Sequence, residues 1–97
     1  MDEKNFIAKV EKYQGLTEKA LKKIKICVPK NSALHVIAVD FKSMTVNYLA
    51  DGKYYKEKKD YLTALASFSY AHAWLDAGAR LGVFDVKGDN KLFTLYK

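Results

Sequence analysis

Apolar and small residues recur at Phe6, Val10, Tyr13, Thr17, Ala20, Ile24 and Cys27. Alternating steps of four and three keep them on one side of a helix, and Ile7, Leu21 and Val28 widen the stripe. The pattern predicts a first helix over about residues 3–28. Gly15 is its weak point, since glycine costs about 1 kcal/mol relative to alanine inside a helix. A break at Gly15-Leu16-Thr17 is the alternative. Pro29 ends the helix, because the residue before a proline is driven out of the helical region.

Asn31 or Ser32 can cap a second helix, predicted over about 32–58. Its stripe is Leu34, Ile37, Phe41, Met44, Tyr48 and Tyr55, with Asp40, Asn47, Asp51 and Lys58 on the far side. Lysines at its end suit the negative pole of the helix dipole. Asp60 then caps a third helix over about 61–81, and Gly82 stops it. The tight Lys59-Asp60 connection implies that helices two and three are antiparallel, with helix one against both. The expected fold is all-α, an up-and-down three-helix bundle in a single domain over 1–97. The tail, 83–97, has two short alternating runs around Lys87-Gly88-Asp89-Asn90. It reads as a small hairpin or as a strap that packs Phe84, Leu92, Phe93 and Leu95 on the bundle.

The third helix is apolar on nearly every side. Tyr61, Leu65, Phe68, Leu75 and Ala79 form one face with His72 inside it, and Ser69, Asp76 and Arg80 run along its edge. Ala64, Ala71 and Gly78 make a ridge of small residues, while Tyr70, Trp74 and Leu81 fill a third sector. Such a helix is central to its domain or contributes to an interface.

Composition narrows the class. The chain has 97 residues, 49% of them hydrophobic, which is enough for one domain with a modest core. Its single Cys27 forbids an internal disulfide and fits a reducing cytoplasm. Neither a signal-peptide pattern nor an apolar run of membrane-spanning length occurs, so no membrane association is expected. The net charge is +6, and the excess lies before residue 60. Almost all of it is lysine, whereas nucleic-acid recognition favours arginine for bidentate contacts. Solvated lysine faces are the plainer explanation.

The candidate site is SYAHAWLDAGARLG, Ser69 to Gly82. His72, Asp76 and Arg80 rise along one side at i, i+4, i+8, with Ser69 beside them and the aromatics Tyr70 and Trp74 as candidate interface groups. In the structural reading, Asp76 satisfies the His72 ring and Arg80 pairs with Asp76 or with carbonyls near the helix end. In the binding reading, the same groups form a polar notch for a ligand. Catalysis is disfavoured. Ser69 and His72 point outward from their helix and not at each other, and Cys27 sits in an apolar seam that disfavours its thiolate. Two isolated histidines, His35 and His72, are poor metal ligands, and no glycine-rich phosphate loop is present. No catalytic residue, metal or cofactor is assigned.

The stretch YYKEKKDYLTALASFSYA resembles the helical hairpin of tetratricopeptide repeats, a packing solution that many helical proteins share. A more specific resemblance covers about residues 10–95. NYLADGKYYKEKKDYLTALASFSYAHAWLDAGARLGVF is similar to the archaeal domain-of-unknown-function family 357, with its SYAHGWLDAG stretch followed by Arg, Leu and Gly. Here that stretch is Ser69 to Gly78, then Arg80, Leu81 and Gly82, and Ala73 replaces the family's glycine. The resemblance implies a spectrin-like or albumin-binding-module-like helical bundle from an archaeal cytoplasm, and it implies no activity or catalytic residue. The helical HEPN ribonucleases use an Arg-x4-His pattern, which fails here because Asp85 follows Arg80 at that distance.

These readings converge on a small basic interaction module that binds an unknown protein partner or forms a homodimer. The alternative is nucleic-acid association through lysines of helices one and two, with Tyr54 and Tyr55 as stacking groups. A third reading is a small-ligand binder or enzyme centred on His72 and Asp76.

Overall fold

A computed structural model describes residues 2–93. Three helices, α1 (Glu3–Lys23), α2 (Ala33–Glu57) and α3 (Tyr61–Leu81), form an up-and-down bundle. Two short strands, β1 (Lys25–Ile26) and β2 (Phe84–Asp85), pair antiparallel, Lys25 opposite Asp85 and Ile26 opposite Phe84.

Local chemistry sets most of the ends. Asp2, Ser32 and Asp60 each accept a bond from the backbone N–H three residues on, satisfying a donor that the first turn leaves open. The turn between α2 and α3 closes with Lys59 in the left-handed region (φ 63°). Its N–H donates to Lys56 and that of Asp60 to Tyr55, so the residue that finishes one helix stop also starts the next helix. Gly82 (φ 88°) ends α3 in the same way, with Val83 donating to Gly78. Val83 is fully buried, so this stop is anchored by its own apolar residue.

Helix α1 differs from expectation at one end. It runs unbroken through Gly15, whose open flank meets nothing within 4 Å, but it stops at Lys23 and not near residue 28. Ile24 turns extended (φ −67°, ψ 146°), and Cys27 N–H donates to Val83 O at 3.0 Å. The chain leaves the helix because an extended partner, the start of the tail, lies alongside. Cys27 is consequently exposed, not part of an apolar seam, and its thiol donates to Gly82 O.

Helix α2 also differs from expectation, in the face it buries. Its buried residues are Ala38, Thr45, Leu49 and Gly52, flanked by half-buried Phe41, Tyr48 and Tyr55. Leu34 and Ile37, read as core, stand 43% and 37% exposed. The face is rotated toward small residues because α2 and α3 approach closely. A Cβ on Gly52 would overlap the ring of Phe68, which is fully buried against that backbone. On α3 the ridge of Ala64, Ala71 and Gly78 is buried with Phe68 and Leu75 of the expected apolar face, while Tyr61, Leu65 and Ala79 are half-buried, which makes it the central helix.

The core has two clusters. One joins Val10, Leu49, Ala64, Phe68 and Ala71. The other joins Ala20, Ile24, Ala38 and Leu75 with Val83, Phe84, Val86 and Phe93 of the tail. The described tail is therefore a strap, with Phe84 and Phe93 buried and Leu92 packed beside them. Its strand pairs with β1, and the segment around Lys87-Gly88-Asp89-Asn90 makes turns. Leu95 lies outside the described residues. No described helix is long and apolar enough to cross a membrane.

Candidate functional site

His72 faces α1 and the strap from the third turn before the end of α3. Its Nε2 lies 2.6 Å from Leu92 O and its Nδ1 lies 3.1 Å from Thr17 Oγ1. A carbonyl can only accept, so Nε2 carries the proton in the neutral ring and Nδ1 accepts from the Thr17 hydroxyl. Thr17 is wholly buried, and this bond satisfies it. One imidazole thus joins three parts of the chain, and the Phe93 ring lies 6.4 Å from it.

Asp76 does not hold the ring as the sequence suggested. Its Oδ1 is 3.8 Å from Nε2, beyond hydrogen-bond reach, and the nearer strap carbonyl takes that proton. Ser69, His72 and Asp76 do converge on one cleft of about 260 Å³, together with Tyr13, Leu16 and Leu92. Arg80, the last of the expected cluster, is exposed and does not line it. Among the described residues, no three His, Cys, Asp or Glu side chains are grouped so as to hold a metal ion.

The strap over this cleft is pinned by Asp89. Its carboxylate accepts from Lys23 Nζ at 2.8 Å and from the backbone of Lys91 and Leu92. The lysine bond first, then those two amides, hold its pKa down to about 2. Glu18 is likewise held below the usual carboxylate range, chiefly by its bond to Lys53. Lys56 donates to Gln14. Several lysines read as solvated faces are therefore engaged in joining α1 to α2 and to the strap.

The two candidate interface aromatics separate. Trp74 is half-buried against Phe41 of α2, with centroids 5.0 Å apart, so it packs the domain's own helix pair. Tyr70 stays 60% exposed and leans on Tyr48 at 5.5 Å.

Another exposed apolar surface lies on α2, where sequence reasoning did not look. Val36, Val39 and Val46 are 69%, 48% and 47% exposed. Val39, Lys42, Ser43 and Val46 line a shallow groove with Ile26 of β1. The signal was present: Val36, Val39, Ser43, Val46 and Ala50 repeat at three-four spacing, a second stripe hidden behind the larger side chains of the first.

The family described as "Protein of unknown function (DUF357)" matches residues 12–84, three quarters of the chain. The chain belongs to that family. Its matched span holds the helix pair, the SYAHAWLDAG stretch, β1 and the first residue of β2, so His72 and Thr17 are inside it. The strap residues Asp89 and Leu92 of this DUF357 domain lie beyond the match. No curated protein and no solved structure matches the chain.

Proposed function

We propose that this DUF357 domain is a non-enzymatic protein-interaction module, and that its contact surface is the outer face of α2. The observation that carries the reading is the exposure of Val36, Val39 and Val46 in one stripe along a helix whose opposite side is already packed. Isolated exposed apolar residues are ordinary, whereas a contiguous set beside a groove marks a contact site. A binding role for α3 is less supported, because Phe68, Leu75 and the small-residue ridge are spent inside the domain, which leaves Leu62, Tyr70 and Leu81 as its exposed apolar residues. His72 has both ring nitrogens engaged by the chain itself, which leaves it poorly placed to act as a base. The free thiol of Cys27 fits work in a reducing cytoplasm.

The test is affinity capture from native extract with the wild-type domain and with Val39→Glu/Val46→Glu. The variant is expected to fold, since both positions are exposed, and to lose the proteins that wild type retains. Identical capture by both would remove this reading.

One observation favours a second reading, association with single-stranded nucleic acid. Tyr54 is 55% exposed, Tyr55 lies edge-on to it at 5.3 Å, and Lys58 sits 5.5 Å from its ring. An aromatic beside a lysine is the elementary unit of such binding. Oligonucleotide affinity that falls steeply with salt and drops with Tyr54→Ala would support it, and no binding at low salt would end it.

A further inference from the structure

Helix α2 carries two seams of the same period. The inner one, Ala38, Phe41, Thr45, Tyr48, Gly52 and Tyr55, is occupied by α3 and the core. The outer one, Val36, Val39, Ser43, Val46 and Ala50, is exposed at every position. A three-four repeat is the spacing with which one helix meets another lengthwise, and small residues at Ser43 and Ala50 let a second backbone come near. At 100° per residue the outer seam has charged edges of opposite sign. Lys42 and Lys53 lie on the edge toward α1, where Lys53 also bonds Glu18 at 2.9 Å, and Asp40 and Asp51 lie on the other, with Lys58 following them beyond the end of the seam.

Resting on the reading of this face as a contact surface, we propose that its occupant is a second copy of the chain, with the two α2 helices packed in parallel about a two-fold axis along them. The charges select both the occupant and the orientation. A two-fold axis parallel to the helix brings the lysine edge of one copy against the aspartate edge of the other. Each lysine is two residues from its aspartate, so the partners meet with an axial offset of about 3 Å, within side-chain reach. An antiparallel two-fold pairing sets lysine edge against lysine edge, which costs energy. Ile26, at the groove wall, extends the apolar contact beside Val39 and Val46. The seam from Val36 to Ala50 is only about 21 Å long. The interface therefore belongs to the small class, with an expected dissociation constant on the order of micromolar.

The experiment measures mass by light scattering across a concentration series and then orientation by cysteine cross-linking in a Cys27→Ser background. Wild type is expected to approach twice its 11.0 kDa monomer mass as concentration rises. Val39→Glu should weaken association about 100-fold or more, because two unpaired charges enter one seam. Asp40→Lys/Asp51→Lys should weaken it about tenfold, and adding Lys42→Asp/Lys53→Asp should restore it. Val39→Cys alone and Val46→Cys alone should each form a disulfide-linked dimer on mild oxidation. Links that form only when the two variants are mixed would overturn the parallel arrangement. A monomer at every concentration would overturn the second copy as occupant. In that event the capture experiment separates the two ideas: partners lost with Val39→Glu/Val46→Glu keep the contact surface, and unchanged capture removes that as well.

Discussion

Helix α3 meets its neighbours across two surfaces of different kinds. Toward α2 the contact is steric: Phe68 lies on the bare backbone of Gly52, and Trp74 and Tyr70 pair with Phe41 and Tyr48 at the outer edge. Toward α1 and the strap the contact is also polar, with His72 joining Thr17 and Leu92 while Lys23 holds Asp89. Close packing of small against large residues leaves no freedom in register. A hydrogen-bonded clasp fixes position at a few points and depends on protonation. Phe84 at the start of the strap lies on Gly78 in the same close way, so the helix pair and that start are expected to be the rigid part of the domain, and the strap from Asp89 to Leu92 the part that responds to solution conditions.

The largest test is on the steric side. Gly52→Ala is expected to lower stability by up to about 2 kcal/mol, since overpacking of about 1–3 is offset by about 1 of helix propensity. The control is Gly15→Ala in α1, where the new methyl meets nothing and stability should rise by about 0.5–1 kcal/mol. Urea unfolding midpoints of the two variants should move in opposite directions. Shifts of the same sign would show that Phe68 can move aside, and the claimed rigidity would go with it.

Thr17→Val tests the clasp. The shapes are alike, but His72 loses its hydroxyl partner, so a loss of about 1 kcal/mol is expected. Hydrogen exchange should quicken in the strap while the α2–α3 pair stays protected. Asp76→Ala should quicken hydrogen exchange in the strap less than Thr17→Val, because Asp76 stands 3.8 Å from the ring. A larger effect for Asp76→Ala would return it to the role of ring holder.

The smallest effect is read from the acid limb of the stability profile. Asp89 has its pKa depressed to about 2 by Lys23 and two backbone amides, so its ionised form favours the folded state. That contribution is complete above the unfolded carboxylate value of about 3.9 and is lost as pH falls through about 2. Asp89→Asn is expected to be less stable at neutral pH and to lose part of the acid slope between those limits. Thermal melts from pH 5 to pH 2 measure it, and an unaltered slope would mean that other carboxylates set the acid limit.

Much of this architecture is a local property of the chain. Caps at Ser32 and Asp60, the stop at Gly82 and the tight turn at Lys59 depend on residues within one helical turn, so three helices and an antiparallel pair were legible from the sequence alone. The faces of α3 were legible too, because its apolar and small residues separate cleanly by angle. Three features depended on residues far along the chain. Helix α1 ends at Lys23 because the strand after Gly82 offers an extended partner that no local pattern announces. The core face of α2 turns toward Ala38 and Gly52 because burial there follows how closely α3 can approach, and side-chain size misleads when small residues form the contact. The same rotation leaves Val39 and Val46 in solvent. His72 is the sharpest case. Its sequence neighbour Asp76 was the natural partner at one helical turn, yet the ring is held by Thr17, 55 residues away, and by the carbonyl of Leu92, 20 residues away. Periodicity determines which way a side chain faces, and only the assembled fold determines what waits there.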